Sequence, residues 1–140
     1  MSGAARLYSP EVLALATRLA AFPLDEDLPL RGAARSPACG SRIELGLACD
    51  AAGAIARISL KAQACAIGQA AAAIFADAAT GRSRADLAAT LAALEAWLAG
   101  TGDQPDWPGL AAIAPARDFP GRHGAMLLPW KAALEALPSA

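Results

Sequence analysis

Arg42-Ile43-Glu44-Leu45-Gly46-Leu47-Ala48-Cys49, the turn Asp50-Ala51-Ala52-Gly53, and the returning run Ile55-Ala56-Arg57-Ile58-Ser59-Leu60-Lys61 together decide the fold. In the first run Ile43, Leu45, Leu47 and Cys49 alternate with Glu44, Gly46 and Ala48, the period of a strand with one buried face. Parity turns Cys49 inward with the aliphatic side chains, so it reads as core and not as a site residue. The second run, with its β-branched and alternating positions, predicts an antiparallel partner joined by the turn. A hairpin with one apolar face needs helices to cover it.

N-terminal to the hairpin, Ser9-Pro10-Glu11 supplies an N-cap, a first-turn proline and a first-turn acid. Val12, Leu15, Ala16 and Leu19 then repeat at helical spacing to about Ala21. Between helix and hairpin, Pro23, Pro29 and Pro37 with Gly32 and Gly40 predict a loop without regular structure. On the C-terminal side, Ile67, Ala70, Ala71, Ile74 and Ala78 line a helix that follows Cys65 and stops at Thr80-Gly81. Ser83 caps the next, with Asp86 as its capping-box acid and Leu87, Leu91, Leu94 and Leu98 as its stripe. Trp107, Leu110 and Ile113 predict a short helical piece ended by Pro115. Trp130, Ala133, Leu134 and Leu137 predict a last helix that Pro129 either opens or kinks. The order gives an α+β fold, a small antiparallel, hairpin-based sheet packed against several α-helices, with residues 1–140 as one domain.

The composition narrows the function. With 12 Lys plus Arg against 13 Asp plus Glu, the formal charge of -1 offers phosphates no basic face, so nucleic acid is not an expected partner. The alanine-rich stretch from Ala64 to Ala79 is too short and too interrupted to span a bilayer, so no membrane partner is expected. Residues Met1 to Ser9 lack the apolar run of a secretory signal, which points to the cytoplasm. There, three cysteines point to metal binding or buried thiols before a disulfide framework. Cys39 precedes the first strand and Cys65 follows the second. A strand pair that folds back on itself brings these two positions to the same edge of the sheet.

With Leu7-Tyr8-Ser9, Ser36-Pro37-Ala38-Cys39-Gly40, Ala64-Cys65-Ala66-Ile67, Gly81-Arg82-Ser83 and Phe119-Pro120-Gly121-Arg122 in this order, the chain resembles the NifU-like N-terminal family of iron-sulfur cluster assembly scaffolds. The segment from Gly100 to Trp107 is similar to the insertion that marks the SufU-type branch, and Leu110 to Trp130 extends the likeness. The resemblance implies a scaffold fold and a binding and delivery role, not an enzyme, with a cysteine desulfurase and iron-sulfur client proteins as partners. It also implies a site in which three cysteines and one aspartate converge on zinc or a nascent iron-sulfur cluster. Cys39 and Cys65 match two of those cysteines. Ser41 stands at the aspartate position, and Ala125, or Gly124 one residue earlier, stands at the third cysteine.

The resemblance thus makes Cys39 and Cys65 the expected cofactor-binding residues, and Cys39, Cys65 and His123 the expected metal ligands, for zinc or a weakly held cluster. Three donors with water in a fourth position would make an open site. Other readings of the same residues stay open at this level. They are a metal-free interaction or regulatory module that keeps only the fold, a Cys39–Cys65 disulfide, and a thiol enzyme in which His123 activates Cys65. Arg122 reads as a solvated cation or as the partner of a carboxylate.

Overall fold

The computed structural model describes residues 7–138. Its element order is α1 (Pro10–Arg18), a 3-10 turn (Leu19–Ala21), β1 (Leu30–Arg35), β2 (Arg42–Cys49), β3 (Ile55–Gln63), α2 (Ala66–Ala78), α3 (Arg84–Leu98), 3-10 segments Leu110–Asp118 and Pro120–Arg122, and α4 (His123–Ala136). The strands form one antiparallel sheet in the order β1-β2-β3. The α+β architecture expected from the sequence is the one observed.

The predicted hairpin is β2 and β3, with Leu45 opposite Leu60, Ile43 opposite Ala62, and a bulge beside Ala48 and Cys49. The Asp50 carboxylate closes its turn by accepting from the backbone of Ala52 (2.9 Å) and Ala54 (3.0 Å). β1 corrects the expectation of an irregular loop between the first helix and the hairpin. Its prolines, Pro29 and Pro37, flank the strand instead of interrupting it. Leu30, Gly32 and Ala34 alternate with exposed Arg31, Ala33 and Arg35. These inward residues sit opposite Leu47, Leu45 and Ile43 of β2. Gly32 hid the pattern because it is an apolar-face position without a side chain. A Cβ there would stand 2.8 Å from the backbone nitrogen of Ala136 and closer still to the carbonyl of Ala132, so the strand has been fitted to the backbone of α4.

One face of the sheet carries Ile43, Leu45, Leu47 and Leu60, all buried, against α2 and α4. The other face is partly covered where the chain from Phe22 to Leu28 crosses it. Ser59 Oγ accepts from the Asp25 amide (2.9 Å), and Phe22 accepts from the Leu60 amide (3.0 Å). α2 is nearly all small or aliphatic, with Ile67, Ile74 and Phe75 in the core, and it packs against β3, α1 and α4. The capping box at Ser83 and Asp86 is formed as expected, each group bonding the other's backbone amide. Two prolines depart from expectation. Pro115 lies within the 3-10 segment and does not end it, because its fixed φ suits that geometry. Pro129 lies inside α4, the longer of the two helices its position allowed. Among the described residues no helix is long and apolar enough to cross a membrane.

Candidate functional site

Cys39 stands in the tight turn between β1 and β2. Ser36 and Ser41 face each other across it, the Ser36 amide donating to the Ser41 carbonyl (2.7 Å) and the Gly40 amide to the Ser36 carbonyl (2.9 Å). The turn needs Gly40, whose φ is +71°. Cys65 lies just past the end of β3, as the N-cap residue of α2. Its carbonyl accepts from Gln69 (3.0 Å), and its thiol plays no part in the cap. Arg42 is opposite both Arg35 and Gln63, so the Cys39 turn and the exit of β3 share one end of the sheet. The segments that carry the two cysteines therefore lie at the same end of the sheet. The frame, however, is a three-stranded sheet, with Cys39 in a hairpin of its own.

The start of α4 closes the site from the side. A Cβ at Gly124 would stand only 3.1 Å from the Ser36 Cβ and nearer still to its hydroxyl oxygen, so this glycine lets α4 press against the Cys39 turn. In α2, a Cβ at Gly68 would lie 3.4 Å from the Ala125 methyl and 3.9 Å from Ser41 Oγ. Positions 39, 41, 65 and 125 thus surround one spot at the first turn of α2. Cys39 Sγ and Ser41 Oγ are 3.2 Å apart. The Ser41 hydroxyl can donate to an ionised sulfur, and this is the main reason the Cys39 thiol lies below its ordinary range. Partial burial opposes it, while Ser36, the Ser41 amide and Arg122 add to it.

The chemistry of this donor set is two thiols and a hydroxyl, with a buried methyl at position 125. Zinc takes four nitrogen, sulfur or carboxylate donors, and clusters are held by about four thiolates or their substitutes. The residues present do not fit either group. His123 does not complete the set. Its Nε2 lies 2.6 Å from the Arg117 carbonyl, and it lines a shallow surface hollow with Glu95, Leu98, Ala99 and Leu127. The structure does not bring it into a ligand group with the cysteines, and among the described residues no three of His, Cys, Asp and Glu form one. Cys49 is half-buried against the core at the other end of β2, where burial first and the Asp50 carboxylate second push its thiol up.

Sequence reasoning missed Tyr8 and the placement of Arg122. The Arg122 guanidinium donates to the Tyr8 hydroxyl (3.3 Å) across 114 positions of sequence, and no local pattern encodes such a pair. That hydrogen bond, then the electrostatic pull of Tyr8, Cys65 and Cys39, holds the guanidinium above its ordinary range in spite of some desolvation. Arg122 is thus a partly exposed cation tethered to Tyr8 and within electrostatic range of both thiols.

No family model and no curated protein matches the sequence. Solved structures do. The N-terminal part of a nitrogen-fixing NifU-like protein from Brucella abortus superimposes with a TM-score of 0.86 at 23% identity, covering 96% of this chain and 94% of that one. A protein described as an iron-sulfur cluster assembly scaffold for the SUF system, from thermophilic Fervidobacterium islandicum AW-1, gives 0.80 at 20% identity over 94% and 97%. A third, titled only as a hypothetical protein, gives 0.66 at 21% over 89% and 95%. This chain has the fold of the NifU-like and SufU scaffold proteins.

Proposed function

We propose that this chain is an iron-sulfur cluster assembly scaffold-like protein that accepts and passes on sulfur through Cys39 and Cys65. One observation carries the reading. Cys39 and Cys65 stand on separate segments at one end of the sheet, Cys39 beside a hydroxyl that favours its ionised form and both within electrostatic range of Arg122. A thiolate so placed can attack the outer sulfur of a persulfide on a partner. The donor's S–S bond breaks, its electron pair leaves with the donor thiolate, and a new S–S bond forms on Cys39. No net oxidation or reduction occurs. Sulfur is cargo in this step, and the fold's likeness to assembly scaffolds supports a cysteine desulfurase as the donor.

The test is incubation with a cysteine desulfurase and cysteine, followed by mass spectrometry of the intact chain. Cys39 is expected to gain one sulfur atom, and Cys39→Ala to lose that gain and to slow desulfurase turnover. The proposal is sunk if neither cysteine gains sulfur and Cys39→Ala leaves the turnover unchanged. Ser41 and Ala125, in place of donors, favour one second reading, an interaction or regulatory module without metal chemistry. That reading predicts that Cys39→Ala and Cys65→Ala leave partner binding intact.

A further inference from the structure

The start of α4 is pinned at two places, Gly124 against Ser36 in the Cys39 turn and Ala125 against Gly68 in the first turn after Cys65. Arg122 immediately precedes this seam, its amide bonded to the Phe119 carbonyl at 2.8 Å. One of its terminal nitrogens donates to the neutral Tyr8 phenol, and its Nε is buried with no acceptor. Among the described residues only one of the guanidinium's five N–H donors, the one on Tyr8, is engaged, so donors remain for an anion. The hydroxyls that Cys39 meets, Ser41 and Ser36, can donate to a negative sulfur as well.

We propose that Arg122 makes this an anion site: its guanidinium holds the negatively charged outer sulfur of a persulfide carried on Cys39. The proposal rests on the sulfur-carrying reading above. A persulfide places its charge one S–S bond, about 2 Å, beyond the thiol sulfur. The Ser41 hydroxyl is set 3.2 Å from the thiol sulfur itself, so the outer sulfur calls for a counter-charge of its own. Arg122 interacts electrostatically with both cysteines, so it can follow the sulfur if it passes from one to the other. Tyr8 is a positioning residue that holds the guanidinium through its hydroxyl.

The test uses the full chain in two arms. In the first, glutathione persulfide, a small donor that needs no docking surface, loads the protein, and mass spectrometry reads the fraction of Cys39 that carries extra sulfur. Arg122→Gln is expected to lower that fraction about two- to fivefold, the size of one partly exposed charge pair. Arg122→Lys is expected to retain most of it, and Tyr8→Phe to fall between. In the second, inorganic thiosulfate, an anion with an exposed outer sulfur, is expected to slow alkylation of Cys65 in the wild type and not in Arg122→Gln. Equal loading in wild type and Arg122→Gln, with no thiosulfate protection in either, overturns the anion site and leaves the sulfur-carrying reading standing. No loading in the wild type, with thiosulfate protection that Arg122→Gln abolishes, sinks the sulfur-carrying reading and leaves the anion site standing.

Discussion

A hydroxyl at position 41 and a methyl at position 125 decide what two thiols can do. Ser41 works on Cys39 by hydrogen bonding, so Ser41→Ala is expected to move the onset of Cys39 alkylation to higher pH, read from iodoacetamide rates across a pH series. Cys49, shifted the other way, is expected to lag Cys39 throughout that series, and equal rates would contradict both assignments. Completing the donor set is the complementary experiment. Ser41→Asp with Ala125→Cys places a carboxylate and a third thiol around the same spot, and is expected to retain about one zinc after gel filtration where the wild type retains none. A folded double variant that stays free of zinc would show that these four positions do not converge as described. Cys39 and Cys65 were legible in the sequence because each stands at a punctuation mark, a glycine turn and a helix start. His123 carried no such signal. Its hydrogen bond to Arg117 ties the start of α4 to the preceding 3-10 segment, a structural use that a lone histidine's sequence context cannot reveal.

At the scale of the element, β1 shows how a strand escapes notice. Alternation is read from side-chain size, and in Leu30-Arg31-Gly32-Ala33-Ala34-Arg35 two of the three inward residues are Gly and Ala. They are small because α4 lies against them, a fact found some hundred residues away. Gly32→Ala is therefore expected to destabilise the fold by about 1–3 kcal/mol, the usual cost of overpacking, because its neighbours are backbone atoms that cannot rotate aside. Urea unfolding measures it, and a midpoint equal to wild type would mean that strand and helix are less closely fitted. The Ser83–Asp86 capping box was legible because it is local. Hydrogen bonds from the Ser83 amide and then its hydroxyl hold the Asp86 carboxyl below its ordinary range. A depressed carboxyl stabilises the fold fully above its unfolded pKa of about 3.9. That contribution is lost as pH falls through the lower folded value. Ser83→Ala is expected to cost about 1 kcal/mol at neutral pH. Asp86→Asn is instead expected to flatten this acid limb in pH-dependent unfolding, because the Ser83 amide, which Ser83→Ala would keep, is the larger cause of the shift.

For the molecule as a whole, the helices are joined around an aromatic cluster. Phe75 of α2 stacks on Trp107 at a centroid distance of 5.6 Å and meets Trp130 of α4 edge-on at 5.3 Å. Trp107 meets Trp130 at 5.2 Å, donates its indole N–H to the Ile74 carbonyl at 3.0 Å, and carries the Arg82 guanidinium on its ring. Phe75→Ala is expected to cost about 3–5 kcal/mol, a large part of a small domain's total stability, and a chemical-denaturation series that finds less would relocate the centre of the core. Helical spacing in the sequence places Trp107 and Trp130 on separate helical segments, whereas Trp107 stands in the loop just before the 3-10 segment. Their meeting is a property of the packing, as is the meeting of Tyr8 with Arg122. The cluster also has an optical consequence. Two indoles locked at nearly right angles around a phenyl ring form a chiral chromophore assembly, and one of the three rings belongs to the helix that Cys65 opens. Near-ultraviolet circular dichroism should therefore register any rotation of that helix when the thiol end takes up cargo, whereas an unchanged spectrum would identify loading as a chemical event that the core does not feel.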